Sequence, residues 1–177
     1  LHGRKQAPYR VLMHLHFYCK FRARTNLDTI MKSIFEESTY KELMERIDRL
    51  NEDSTRQWGK MTVGQMAWHC KFPLKLGIEN KETRKKPNPL ITFFFKKSMY
   101  NDKPFRKNLP TSPLLKARET KDIDIEKQEL LELVTGFHKL KGKTDWNPHP
   151  IFGKFTPEQW GIMQYKHLDH HLTQFNV

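Results

Sequence analysis

Two histidines four residues apart, His167 and His171, fall within His167-Leu168-Asp169-His170-His171 near the end of the chain. On a helix their imidazoles stand on one face, about one turn apart. Two neutral imidazoles at that spacing can share a zinc, nickel, copper or iron ion. The spacing alone does not decide, because surface or packed histidines produce it too. The neighbours add weight. At about 100° per residue, Trp160, Gln164, His167 and His171 form a stripe beside the apolar Leu168, Leu172 and Phe175. The pair therefore borders a core. Imidazole nitrogens turned inward need partners, and a metal ion, a carboxylate or water would supply them. His170 points roughly 100° from His171 and belongs at the surface or behind the ligands.

The element that must carry these residues opens with Thr156-Pro157-Glu158-Gln159. These are a cap, a proline at the first helical position, an acid for the dipole and a capping-box glutamine. Only Gly161 breaks the pattern before Phe175. A metal site needs a further ligand. His69 follows a second capped start, with Thr62 as cap and Gln65 three residues on, and Met66, His69 and Cys70 share a face. His138 follows the apolar run 130–137, and His149 stands between prolines in a loop. His2, His14 and His16 lie in a stretch that looks foreign to the domain. His69 is best placed by burial and helix position, yet no spacing rule forces the choice.

The remaining elements can be counted. Tyr40, Leu43, Ile47 and Leu50 predict an amphipathic helix over residues 38–52. The Thr62 helix follows, with Pro73 expected to kink it or end its first half. Residues 82–121 are proline-rich and basic, with a short helix over residues 90–100. Ile123, Leu130, Leu131, Val134 and Phe137 predict a helix over 123–140, and Gly142, Pro148, Pro150 and Gly153 a loop before the last one. Four main helices and one long crossover suit a helical bundle with ligands on facing helices.

An early-helix histidine followed far downstream by H-x-x-x-H resembles the DinB-like superfamily, and most closely an uncharacterised bacterial branch of it. The resemblance is carried by residues 61–69, by Asn108-Leu109-Pro110-Thr111-Ser112-Pro113, and by the block from His149 to Phe175, including Trp160-Gly161 and Tyr165-Lys166-His167. It covers residues 31–177. It implies an all-α, DinB-like four-helix bundle with a long basic crossover between the second and third main helices. It also implies a divalent metal, zinc or nickel, on His69, His167 and His171. It leaves the reaction open between thiol transfer and hydrolysis and tilts toward a low-molecular-weight thiol as the small-molecule substrate. Such proteins often pair as homodimers, though no pairing face can be read here.

An ion on three histidines keeps a coordination position open and would lower the pKa of a bound water or thiol. Gln164 and Trp160 are expected to shape the mouth of that site. Glu79, Asp169 and His170 are candidate bases only by chain proximity. Cys70 reads as a small buried residue rather than a nucleophile. There is no glycine-rich phosphate loop, no G-x-S-x-G and no paired-cysteine zinc pattern.

The bulk properties fit one domain in a reducing, cytoplasmic setting, with only Cys19 and Cys70 and no apolar run of about 18–20 residues for a membrane span. The net charge of +12 is uneven. Residues 1–30 carry six basic side chains against one acid, and residues 81–121 carry twelve against three, leaving the metal-bearing helices near neutral. Residues 1–30 are expected to be an extension outside the core: sequence ahead of a start at Met31, a basic or targeting arm, or an added leader. The alternative function is a basic module in which residues 81–121 grip nucleic acid or an acidic partner, with Phe93–Phe95, Tyr100 and Phe105 as stacking platforms. A solubilising cover is the plainer reading, and neither nucleic acid nor a membrane is expected as a partner. Residues 91–95 are expected to pack beneath the long connection, and Arg84-Lys85-Lys86 to form a solvated turn.

Overall fold

The computed structural model describes residues 31–82 and 86–177, so the expectations for residues 1–30 and for Arg84 and Lys85 lie outside it. Among the described residues are five α-helices and no β-strand: α1 (Glu37–Asp48), α2 (Val63–Glu79), α3 (Pro89–Phe95), α4 (Ile123–His138) and α5 (Pro157–Gln174). The four longer helices pack in a ring, α1 on α4, α4 on α2, α2 on α5 and α5 on α1. Leu43 and Ile47 of α1, Met66 and Leu74 of α2, Leu130, Val134 and Phe137 of α4, and Leu168 and Leu172 of α5 fill the space between.

Local chemistry sets the helix ends. Both capping boxes form: Thr62 accepts from the Gln65 backbone and Thr156 from that of Gln159, while each glutamine side chain answers the cap N–H. Asp122 caps α4 through the N–H groups of Asp124 and Ile125. Pro73 does not end its helix; α2 runs on to Glu79. Pro73 has no N–H to offer the carbonyl four residues back. Its own carbonyl accepts from Nε2 of the wholly buried Gln164 on α5 (2.8 Å), tying the two site-bearing helices together.

The connection from α2 to α4 contains α3 and two 3-10 turns, Lys96–Met99 and Pro113–Leu115. It is held down at several points. Lys166 on α5 donates to the carbonyls of Ser98 (2.7 Å) and Asn101 (2.8 Å). Gln65 on α2 reaches the carbonyl of Glu119 (3.2 Å). At Gly64 a Cβ would stand 2.0 Å from the carbonyl oxygen of Lys121, so only glycine lets the connection return this close to α2. One expectation fails here. Residues 91–95 do not pack beneath the connection: no residue of α3 is buried, and Phe93 is 78% exposed. The flanking turns and Lys166, rather than the phenylalanines, anchor this stretch.

Where α2 meets α4 the interior holds charge. The Lys71 ammonium is buried against the Glu126 carboxylate and lies 2.6 Å from Glu129. Burial alone would push the Lys71 pKa down, but the two carboxylates outweigh it and hold it above its ordinary value. Removing one partner of a buried pair leaves an uncompensated charge, at about 3–5 kcal/mol. Lys71→Met should therefore cost about 3 kcal/mol in urea unfolding, because Glu126 is then buried alone. Adding Glu126→Leu should recover much of the loss; a double variant no better than Lys71→Met would show that the pair is not coupled.

Candidate metal centre

α2 and α5 bring together three histidines from opposite ends of the described chain. His69 lies two turns into α2 beyond its capping box, and His167 and His171 lie one turn apart on α5. One ring nitrogen from each falls within 4.8 Å of the others. His69 Nε2 and His167 Nε2 are 3.1 Å apart. Two nitrogens on one tetrahedral ion with bonds of about 2.0–2.1 Å would be roughly 3.3 Å apart, so this edge nearly has a ligating geometry.

The remaining ring nitrogens show which tautomers are present. His69 Nδ1 faces the Leu115 carbonyl at 2.9 Å. A carbonyl only accepts, so Nδ1 carries the proton and Nε2 presents a lone pair. His171 is set by a relay. The Trp58 carbonyl takes a hydrogen bond from Gln174 Nε2 (2.7 Å), which turns Gln174 Oε1 toward His171 Nδ1 (2.9 Å). His171 Nδ1 is then the donor, and its Nε2 is free for a ligand. Gly59 makes room for this relay: its φ is +81°, and a Cβ there would meet Gln174 Nε2 at 2.5 Å. His167 Nδ1 is buried with no hydrogen-bond partner among the described residues.

Burial keeps all three rings neutral. It lowers the pKa of His69 against the opposing pull of Leu115 and brings His171 down to about 3. For His167, burial and then the neighbouring imidazoles push it well below the usual range. Neutral imidazole is the form that ligates metal. His69 and His171 are each backed by a hydrogen bond on the far side of the ring, as metal-ligating histidines are, and His167 is not.

The other candidates are accounted for elsewhere. His138 bonds the Ile34 carbonyl (2.8 Å) and stacks on Tyr40. Asp169 is paired with Arg46 of α1 (2.7 Å), and Glu79 with Lys81 (2.9 Å). Cys70 is fully enclosed beside Met66, and burial pushes its thiol far up. Trp160 stacks on Trp146 in an aromatic cluster with His149 and Phe155, and Gln164 is committed to Pro73. Neither is seen at the mouth of the site. The rings beside the site are instead those of His170, 5.1 Å from His171, and of Trp58 and Phe105, 5.6 and 5.9 Å from His170.

Gln174, Leu115 and Trp58 were not found by reading the sequence, and Phe105 was singled out only as a stacking ring for the alternative basic module. Gln174 left a trace, since it follows His171 at the i,i+3 spacing that puts side chains on one face. Leu115 acts through its backbone, and Trp58 and Phe105 come from segments far away in the chain.

Fold and site together define an all-helical protein with three neutral imidazoles, able to hold a metal ion, gathered between two helices. Residues 31–177 match the family described as Protein of unknown function (DUF1569), and the chain belongs to that family. No curated protein and no solved structure matches it.

Two measurements follow. Gln174→Leu removes the acceptor that fixes His171, and zinc affinity by chelator competition should fall about 10–100-fold. Gln174→Glu keeps an acceptor and should lose less. Away from the site, His149 Nδ1 accepts from the N–H groups of Ile151 and Phe152, and burial lowers its pKa to about 4. The unfolded chain takes up this proton near pH 6.5 and the folded chain does not. The stability His149 contributes is thus complete above about 6.5 and lost as pH falls toward 4, by about 3 kcal/mol. Unfolding midpoints across that range should drop less steeply for His149→Asn.

Proposed function

We propose that the chain is a DinB-like metal-dependent enzyme whose His69, His167 and His171 hold one divalent ion, zinc or nickel. In this reading the four longer helices form the DinB-like bundle, and residues 82–121 are its crossover. The observation that carries it is the convergence of three neutral imidazole donors, with His69 and His171 oriented by fixed oxygen acceptors behind them.

Such an ion, bound by three neutral ligands, leaves a position open and supplies Lewis acidity to a water or thiol placed there. The chain's own part is positional. Leu115 and Gln174 aim His69 and His171, and the ring hydrogen bonds keep both from rotating out of line. Trp58, Phe105 and His170 offer a largely aromatic approach suited to a small molecule rather than a polymer. The two carboxylates considered as bases, Asp169 and Glu79, are paired elsewhere. A substrate that brings its own acidic group, such as a low-molecular-weight thiol, fits that shortage better than one whose reaction needs a strong protein base. The reaction class we favour is therefore thiol transfer over hydrolysis, in the cytoplasm.

The decisive experiment is elemental analysis of protein purified without added metal. About one zinc or nickel per chain is expected. His167→Ala and His171→Ala should abolish stoichiometric metal, and His170→Ala should weaken it less. Wild-type protein that takes up no divalent ion, even on reconstitution, would remove the enzyme reading.

A further inference from the structure

α3 is the least explained element of the fold. Its sequence is Pro-Leu-Ile-Thr-Phe-Phe-Phe, none of it buried. Leu90 is 68% exposed, Phe93 78%, Phe94 68% and Phe95 57%. One side of the helix is attached to the body: Thr92 Oγ1 donates to the Ile151 carbonyl (3.4 Å) and Lys96 Nζ to that of Lys154. The rest projects outward, beside an exposed Ile151. A contiguous apolar patch of this kind marks an interaction surface.

Its rim has one sign of charge. Among the described residues, 86–101 have three basic side chains and no acid, and the adjoining loop 147–155 contributes Lys154 and no acid. Lys86, Lys97 and Lys154 are exposed. A second copy meeting this patch with its own would set lysines against lysines. Residues 1–30, with six basic side chains and one acid, are equally ill matched as a cover. The complementary occupant is anionic and apolar at once.

The shape of the patch narrows the choice. Successive residues on a helix are about 100° apart, so Phe93, Phe94 and Phe95 spread over roughly 200° of its circumference. A helix held in a protein groove presents a single stripe of i, i+3 and i+4 anchors. Bases stack on rings that line a basic groove, whereas Phe93 and Phe94 meet edge to face (87°) on a projecting knob. A fluid hydrocarbon boundary accepts rings from several directions while lysines at the rim reach the headgroups. We propose that α3, with Lys86, Lys97 and Lys154 around it, docks the protein peripherally on an anionic lipid bilayer. This revises the expectation that no membrane partner exists. It needs no spanning helix, and among the described residues none is long and apolar enough to cross a membrane.

The test is co-sedimentation of the full chain with vesicles of phosphatidylcholine alone or mixed with phosphatidylglycerol. Wild-type protein should bind only the mixed vesicles, and less as salt rises. Phe93→Ser with Phe94→Ser should lower partitioning roughly tenfold or more, and Lys97→Ala roughly fivefold. Because α3 buries nothing, the double variant should keep the wild-type melting temperature and metal content, which separates lost docking from lost folding. No binding to mixed vesicles would overturn the proposal, as would equal binding by the double variant. So would a dimer in light scattering that the double variant abolishes, or retention on polyglutamate or single-stranded DNA without vesicle binding.

Discussion

Three imidazoles cannot lie edge to edge in an apolar interior unless something decides where their protons sit. Here the decision is made from outside the cluster, by oxygens that can only accept. The Leu115 carbonyl fixes His69, and the Trp58 carbonyl fixes His171 through Gln174. Much of the fold serves those two points. The long connection must come back across α2 to deliver Leu115, and Gly64 and Gln65 hold it there. The loop before α2 must deliver Trp58 to the last turn of α5, and Gly59 leaves room for it. The spacing between α2 and α5 is set independently by Gln164 and the carbonyl of Pro73.

The legible parts of this arrangement were those written locally. Both capping boxes, the shared face of His167 and His171, and the apolar periodicity of the four longer helices are patterns within a few residues, and the structure follows them. His69 was visible as the best-placed third histidine by burial and helix position, and the family pattern pointed to the same residue. What stayed hidden depends on chain segments meeting. Leu115 contributes a backbone atom, which no side-chain pattern encodes. Lys71 and Glu126 are 55 positions apart in the numbering, and no local pattern pairs them before α2 meets α4. Pro73 was expected to kink α2 or end its first half because its missing hydrogen bond is a local fact, and of these the ending does not occur, since α2 runs through to Glu79. Phe93–Phe95 read as core because hydrophobicity says what leaves water, not where it goes.

The two halves of the molecule thus differ in character. In the helical core the buried Lys71 is paired with Glu126 and most imidazoles have a partner, whereas Trp160 Nε1 and His167 Nδ1 are buried without one. The connection between α2 and α4 carries most of the excess positive charge and the exposed phenylalanines of α3, and it meets the core through hydrogen bonds from Lys166, Gln65 and His69 and through Met99 and Tyr100, which pack against it.

The separation of His69 from His167 along the chain, 98 positions, has a consequence for how the protein assembles. Bringing such distant residues together costs loop-closure entropy that no local element repays. The cluster has its full set of partners only when the connection delivers the Leu115 carbonyl and the last turn of α5 meets the loop at Trp58. Any ion it captures would report on the finished topology and tie α2 to α5 across 98 positions, so its stabilising effect would be felt in the slowest hydrogen exchange of the whole helical core rather than in the neighbourhood of the histidines alone.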